Sequence, residues 1–333
     1  MVPTLAHNTA MDLRLTLYQT AAEHGLDAAT TTRLEHAAGL HTPPDHLMPR
    51  LPQGLAVLAA VLCGLGLVFW IAANWDGLGR LGRFALLQGT VVVMALGAVA
   101  RPGARLPLSL LVWLATGGLL AYFGQTYQTG VDAWQLFALW SALTLPLALS
   151  LRHDALWAPW TLVAMTAVAL WVQAHTGHTW RAAPHDLAAH AVGWGCALAL
   201  TAALHPSLSQ HTGAGPWALR TALTLTVIMV SSSALAGLFQ SKVAAHYVAG
   251  LGLLAALAGT LALPRFFEVY GLSAAALGLN TLLFAGLARW LFDSGSGEPL
   301  GRLLLLGLVA AGLLAGTVSL ILNRVRHQPG ATA

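Results

Sequence analysis

The chain has 333 residues, of which 57 % are hydrophobic and only 8 % are charged, and its net charge is +4. Soluble globular domains carry about 25 % charged residues, so these few charges cannot cover a water-facing surface. The composition excludes a soluble enzyme, a disordered protein and a nucleic-acid-binding protein, and the mean hydropathy of +0.69 indicates a membrane protein.

Residues 1–50 are predicted to form a small cytoplasmic head with a Pro-rich linker. Apolar residues recur at helical spacing before Gly25, and Asp27 is a typical N-cap for a second short helix, which Gly39 would end. We therefore predict a helical hairpin over residues 11–40, followed by a linker over 41–52 whose prolines prevent a helix. Because so short a hairpin is rarely stable alone in water, we expect it to dock on a cytoplasmic protein partner or on the inner face of the bundle.

Ten apolar runs follow the linker, each long enough to cross a bilayer as a helix. They cover residues 54–74, 84–100, 106–123, 133–151, 156–174, 187–204, 221–239, 243–263, 271–292 and 300–322. The predicted fold class is all-α, a polytopic integral membrane protein of about ten transmembrane helices with a small N-terminal helical hairpin. Residues 51–151 would hold spans one to four, and residues 152–333 spans five to ten and a short tail. Cys63 and Cys196 fall inside runs and are expected to be core residues.

The distribution of basic residues favours cytoplasmic N- and C-termini. Six of the 16 Lys and Arg residues fall in the predicted outer loops, and the rest fall in the predicted inner segments. An excess of Lys and Arg on the cytoplasmic side is the usual signature of membrane orientation. The ends of spans one, three and five are therefore predicted to lie on the outer face.

Two polar stretches, 72–77 and 124–135, interrupt the apolar background where spans one and three end. One full return separates these spans, so both stretches should reach the same membrane face. Amides and carboxylates near hydrocarbon are costly unless they are paired or hydrated, which predicts a pocket for a small polar ligand, a cation or a lipid head group. The predicted ligand-binding residues are Asn74, Trp75, Asp76, Gln125, Tyr127, Gln128 and Asp132. The alternative interpretation is an aromatic belt with the aspartates as turn and cap residues.

The same two stretches carry a resemblance to a known family. The first span runs into A-x-N-W-D, and the third span reads G-G-L-L-A-Y-F-G-Q-T-Y and is followed by W-Q-L-F-A-L-W. In this order, and after a short helical hairpin, these motifs resemble a bacterial family of predicted multi-pass membrane proteins catalogued as a domain of unknown function. The resemblance covers residues of about 11–150 and implies a location in the bacterial inner membrane, but it implies no activity. It matches at Asn74, Trp75, Gly124, Gln125 and Tyr127.

Histidine is unusually frequent, with 14 residues against a single Lys. His175 and His178 are spaced so that both imidazoles could bind one metal ion, with His185 or Asp186 as a further ligand, and His190 follows in span six. Zinc needs three or four such ligands in a fixed geometry. The alternative interpretation is that these histidines are neutral polar loop residues.

Three functional classes remain open from the sequence. The first is a membrane protein that binds a partner, a lipid or a small ligand without chemistry, and it needs only the polar patch and the head. The second is a permease, for which Ser231, Ser232 and Ser233 in span seven and Asn280 in span nine would form a polar path, although such groups usually join helices. The third is a metal-dependent membrane enzyme. We favour the first, expect no catalytic residue and no cofactor, and leave a homo-oligomer open.

Overall fold

The protein is helical throughout the residues that the computed structural model describes, which are 15–38, 47–74, 77, 79–127, 130, 132–177, 182–293 and 299–326. No strand occurs within these ranges, so the predicted all-α fold class is confirmed. The helices are α1 (15–23), α2 (Ala28–Ala37), α3 (Leu47–Ala73), α4 (Arg80–Ala100), α5 (Arg105–Tyr127), α6 (Ala133–Leu151), α7 (Asp154–His175), α8 (Leu187–Ala203), α9 (Ser209–Thr212), α10 (Pro216–Leu238), α11 (Ala245–Leu261), α12 (Val269–Asp293) and α13 (Pro299–Arg326).

The chain divides into two compact units, residues 1–59 and residues 60–333. In the first unit, α1 and α2 form the predicted hairpin. The Tyr18 hydroxyl donates to Oε1 of Glu35 at 2.6 Å and so joins the two helices. Asp27 is the N-cap of α2, and its carboxylate accepts a hydrogen bond from the backbone N–H of Thr30 at 3.0 Å. Gly39, the predicted end of this helix, lies outside the described residues.

The predicted linker is wrong in its second half, because α3 begins at Leu47 and includes residues 47–52. The first N–H groups of a helix have no partner within it, so Pro49 costs no hydrogen bond there. Pro52 lies farther in and is accommodated as well. Two prolines near the start of a helix therefore do not prevent it from forming, and the Pro-rich composition was not sufficient evidence for a linker at residues 47–52.

Each predicted span corresponds to one helix of the structure. Eight helices of the described residues are long and apolar enough to cross a membrane, and the stretch Gly54–Gly66 of α3 and helix α11 are shorter apolar helices. The chain is thus a multi-pass membrane protein. Cys63 and Cys196 are exposed on the bundle and not in its core. In a membrane, an outward face meets hydrocarbon, which accepts a small apolar side chain as readily as the core does.

The core of the second unit is built around α10, which packs against α7, α8, α11 and α12. One buried cluster joins α8, α10, α11 and α12 through Trp194, Val227, Val230, Ala234, Leu254, Ala275 and Leu282. Small residues bring the backbones close together. A Cβ atom on Gly250 would lie 2.6 Å from the Cβ of Ala234, so α11 can approach α10 this closely only with glycine there.

The helices alternate in direction, which gives the bundle two ends. We call the end where α7 ends and α8 and α11 begin the histidine end, after His175, His190 and His246. The opposite end holds Asp154 at the start of α7. Alternation along the chain places the ends of α3 and α5 at the histidine end.

Asp154 links α7 to the start of α10. Its Oδ1 accepts from the backbone N–H groups of Gly215 at 3.1 Å and Ala218 at 3.0 Å, and its Oδ2 accepts from Trp217 at 2.7 Å. A carboxylate at a helix N-terminus satisfies unpaired N–H groups and complements the helix dipole. Gly215 is required by this contact, because its Cβ atom would lie 2.6 Å from the carboxylate.

Asp154→Asn is expected to lower the free energy of unfolding by about 2 kcal/mol, because an amide offers one acceptor oxygen and turns N–H donors towards backbone donors. The measurement is the apparent melting temperature of the purified protein in one detergent. Asp293→Asn is the matched control, since the Asp293 side chain is mostly exposed and its ion pair with Arg289 four residues earlier on the same helix is of a kind worth only about 0.2–0.5 kcal/mol. Equal shifts for the two variants would contradict the role given to Asp154.

The cap of α2 should depend on pH. Hydrogen bonds from the Thr30 side chain and backbone hold the pKa of the exposed Asp27 carboxyl below its usual range. A carboxyl with a depressed pKa stabilises the fold at neutral pH, and this contribution is lost as the pH falls through the pKa of the folded state. Hydrogen exchange of α2, corrected for the intrinsic rate, should accelerate on acidification in the wild type, and Asp27→Asn should show no such dependence.

Candidate functional site

The polar patch predicted from the sequence lies partly outside the described residues, which do not include Trp75, Asp76 and Gln128. Asn74 follows α3, and its side-chain Nδ2 donates to the carbonyl of Trp70 at 2.9 Å. Tyr127 is the last residue of α5, and nothing is described of its side chain.

The remaining two residues of the patch are exposed. Gln125 lies on the last turn of α5, and Asp132 is the N-cap of α6 but makes no side-chain cap bond. Alternation places both at the histidine end with Asn74, as parity predicts. No hydrogen bond joins the three side chains in the described structure, so the patch as a binding site stays a prediction.

Glycines of the third-span motif on α5 pack against the W-Q-L-F-A-L-W stretch on α6. A Cβ atom on Gly117 of α5 would lie 2.4 Å from the indole of Trp140 on α6, and one on Gly124 would lie 2.8 Å from Leu136. The indole is held in place, because Trp140 Nε1 donates to the carbonyl of Trp113 at 3.0 Å. These two stretches therefore contribute to the α5–α6 interface, which is a structural role.

Gly117→Ala is expected to destabilise the protein by about 1–3 kcal/mol, because a methyl group overlaps an indole that cannot rotate away without losing its hydrogen bond. The neighbouring Gly118→Ala is the control, since its Cβ atom would make an ordinary contact of 3.8 Å with Leu87. It should be neutral or stabilising, because alanine favours helix. Melting curves in detergent that rank the two variants in the opposite order would show that the indole is not fixed.

The predicted metal site has no support among the described residues. His178 lies outside them. The His175 ring stacks on the Trp171 ring with a centroid distance of 4.2 Å, and its Nδ1 lies 2.8 Å from the Trp171 carbonyl oxygen. Within the part of the chain that the structure describes, no group of three His, Cys, Asp or Glu side chains could hold a metal ion.

A groove lies between α7, α8 and α10, with a cavity volume of about 350 Å³. Its lining side chains are apolar apart from one amide, one imidazole and four hydroxyls. The lining residues are Met165, Thr166, Ala169, Leu170, Val172, Gln173, Thr176, Ala182, His190, Leu225, Ile228, Met229, Ser232, Ser233 and Ala236.

The groove opens sideways, towards the surface that the bilayer covers. Ala169 on α7 and Ile228 and Ser232 on α10 line it and are exposed. From Met165 to Thr176 it follows α7 for roughly 16 Å at the helical rise per residue. Five of the six polar side chains, Gln173, Thr176, His190, Ser232 and Ser233, lie towards its histidine end, and the sixth, Thr166, lies near the middle of α7 among apolar side chains.

Two histidines and one aspartate cluster beside the polar end of the groove. His190 lines the groove, and its ring lies edge-on to that of His246, with centroids 4.9 Å apart. His246 is fully buried, and both of its ring nitrogens lack a hydrogen-bond partner among the described residues. Asp186 is also buried, and its Oδ2 accepts from the backbone N–H of Ala183 at 3.1 Å.

Close packing of α10 on α11 brings His246 into this cluster. A Cβ atom on Gly237 would lie 2.7 Å from the Cβ of His246, so only glycine permits this approach. His246 is not among the residues predicted from the sequence, because it lies far along the chain from His190 and belongs to no motif. The frequency of histidine near the ends of predicted spans was the available signal.

Two of the mid-membrane polar residues join helices, as the sequence indicates. Trp194 Nε1 on α8 donates to the Ser233 hydroxyl on α10 at 3.1 Å. Asn280 Nδ2 on α12 donates to the Thr317 hydroxyl on α13 at 3.0 Å. Interhelical hydrogen bonds of this kind stabilise helix pairs in lipid.

Residues 19–157 match the model of the family described as "Predicted membrane protein (DUF2157)". The resemblance predicted over residues of about 11–150 is confirmed for this segment, which contains α2 to α6 and ends in the first turn of α7. No curated protein and no solved structure matches the chain. The groove, the histidine cluster and helices α8 to α13 all lie beyond the matched segment.

Proposed function

We propose that this multi-pass membrane protein binds an amphipathic molecule of the bilayer in the groove between α7, α8 and α10, without chemistry. The observation that carries the proposal is the sideways opening of an apolar groove in which five of the six polar side chains lie towards one end. A ligand that reaches the groove from the bilayer can place its chain along α7 and its head group beside Gln173 and His190. This is the arrangement that lipids have in the membrane itself.

The shape and lining of the groove support this class of ligand. A volume of about 350 Å³ is at the lower end of ligand cavities, which usually run from about 300 to 1,000 Å³. It suits part of one acyl or prenyl chain and a small head group. Met165 and Met229 on opposite walls add adaptability, because methionine fills irregular apolar spaces.

The positive-inside count supports an outer location for the histidine end in the bacterial inner membrane. On this proposal the head group lies near the outer surface. Asn74, Gln125 and Asp132 belong to the same end, so we retain the predicted patch as an additional polar surface for the ligand or a partner. The head, residues 15–38 in the structure, is proposed to dock on a cytoplasmic partner.

The proposal is tested by photolabelling the full-length protein in lipid nanodiscs. Two probes are used separately, a phosphatidylcholine and a diacylglycerol, each with a diazirine on an acyl chain. Labelled peptides from α7 and α10 are quantified by mass spectrometry. Preferential labelling of the groove by either probe is expected. Ala169→Phe should reduce it roughly tenfold, because the added ring occupies space that the ligand's chain would fill and so weakens binding by about 1.4 kcal/mol.

Ala199→Phe is the matched control, since Ala199 is exposed on α8 and does not line the groove. It should leave labelling unchanged, and both variants should keep the wild-type melting temperature. Even labelling of all outward helix faces by both probes would contradict the proposed function. So would an equal loss in the two variants.

A further inference from the structure

We propose that the groove selects a neutral head group with a hydroxyl donor, which makes the ligand a lipid alcohol and not a phospholipid or a fatty acid. The inference rests on the proposed function and names its ligand class. It depends on which hydrogen-bond donors and acceptors of the lining side chains remain available to a ligand.

The hydroxyls in the groove have already donated their hydrogens. Thr166 Oγ1 donates to the Leu162 carbonyl at 2.7 Å, and Ser232 Oγ donates to the Met229 carbonyl at 3.1 Å. A hydroxyl has one hydrogen and two lone pairs. Each of these oxygens therefore presents acceptor capacity to the groove.

His190 is an acceptor as well. Its Nδ1 lies 3.0 Å from the backbone carbonyl oxygen of Asp186. A carbonyl oxygen can only accept, so Nδ1 carries a hydrogen, and in a neutral imidazole Nε2 then keeps its lone pair. The ring packs edge-on against the buried ring of His246.

Gln173 is the lining side chain that brings donors, since its amide has two N–H groups and one oxygen. A ligand hydroxyl can donate to His190 and accept from Gln173 together. An ether or ester oxygen can only accept, so it leaves the imidazole lone pair without a donor. Leaving a desolvated polar group unpaired is what gives such sites their selectivity.

Charge excludes the other common head groups. None of the lining residues is Asp, Glu, Lys or Arg. A phosphate or carboxylate would lose its hydration and meet lone pairs, and an ammonium would find no carboxylate in the lining. The nearby Asp186 is buried, with Oδ2 bonded to Ala183 and Oδ1 3.3 Å from Nε2 of His185.

The experiment is a competition assay on the full-length protein in nanodiscs. The bound probe is a diacylglycerol with a pyrene on one acyl chain. The competitors share their acyl chains and differ only in the head: a diacylglycerol, its 3-O-methyl ether and the corresponding phosphatidic acid. The alcohol should displace the probe at concentrations roughly five- to tenfold lower than the ether, which is the value of one hydrogen bond, and phosphatidic acid should compete no better than the ether.

Substitutions of His190 test whether its imidazole is the source of the preference for the alcohol over the ether. His190→Phe keeps a ring against His246 but lacks the acceptor, so it should bring the alcohol and the ether to equal potency. His190→Gln restores an acceptor oxygen and should recover part of the difference. His211→Phe is the control, because His211 is exposed on α9 and outside the groove.

Equal displacement by alcohol and ether in the wild type would overturn this inference, as would a preference for phosphatidic acid. Persistence of the preference in His190→Phe would also overturn it. In each case the proposed function would still stand if Ala169→Phe removes the photolabelling of the groove. If the groove of the wild type is not labelled preferentially, in contrast, the proposed function fails and this inference fails with it.

Discussion

A hydroxyl in hydrocarbon has no water to bond, and this constraint determines how polar residues are used throughout the bundle. Thr161, Thr201 and Ser233 each donate to the carbonyl four residues earlier on their own helix, at 2.7 to 2.8 Å. Such bonds satisfy the only hydrogen and leave an acceptor oxygen behind. Where a neighbouring helix supplies a donor, as Trp194 does for Ser233, the oxygen becomes a helix contact. Where a cavity adjoins it, the oxygen becomes part of a site.

The sequence predicted those features that depend on local chemistry. Hydrophobic length located every span, and Asp27 was identified as the cap because a side-chain acceptor followed by a short helix is a local pattern. Pro52 was misjudged, because an extended apolar helix tolerates a proline that composition treats as a break. The cluster of His190 and His246 could not be predicted, since it requires α8, α10 and α11 to pack in one particular arrangement and Gly237 to permit the contact.

The motif residues and the groove lie in different parts of the chain. Gly117 and Gly124 of α5 adjoin Trp140 and Leu136 of α6, so these motif residues serve a helix interface. A pattern of glycines and tryptophans in a membrane helix thus records close packing as readily as ligand contact. The groove lies almost entirely in the second half of the chain, where the family model does not extend. A binding role would therefore be a property of α7 to α11.

Helix α11 has 17 residues and is shorter than the hydrocarbon layer of a typical bilayer is thick. At the helical rise they span roughly 25 Å, against about 30 Å for the hydrocarbon layer of a typical bilayer. A span this short is accommodated by thinning of the bilayer beside it, by snorkelling of flanking side chains or by packing against other helices. The cost of this mismatch falls when the membrane itself is thin. Bilayer thickness thereby becomes a variable that acts on the protein alongside any ligand, and membranes of different acyl-chain length will favour or disfavour it accordingly.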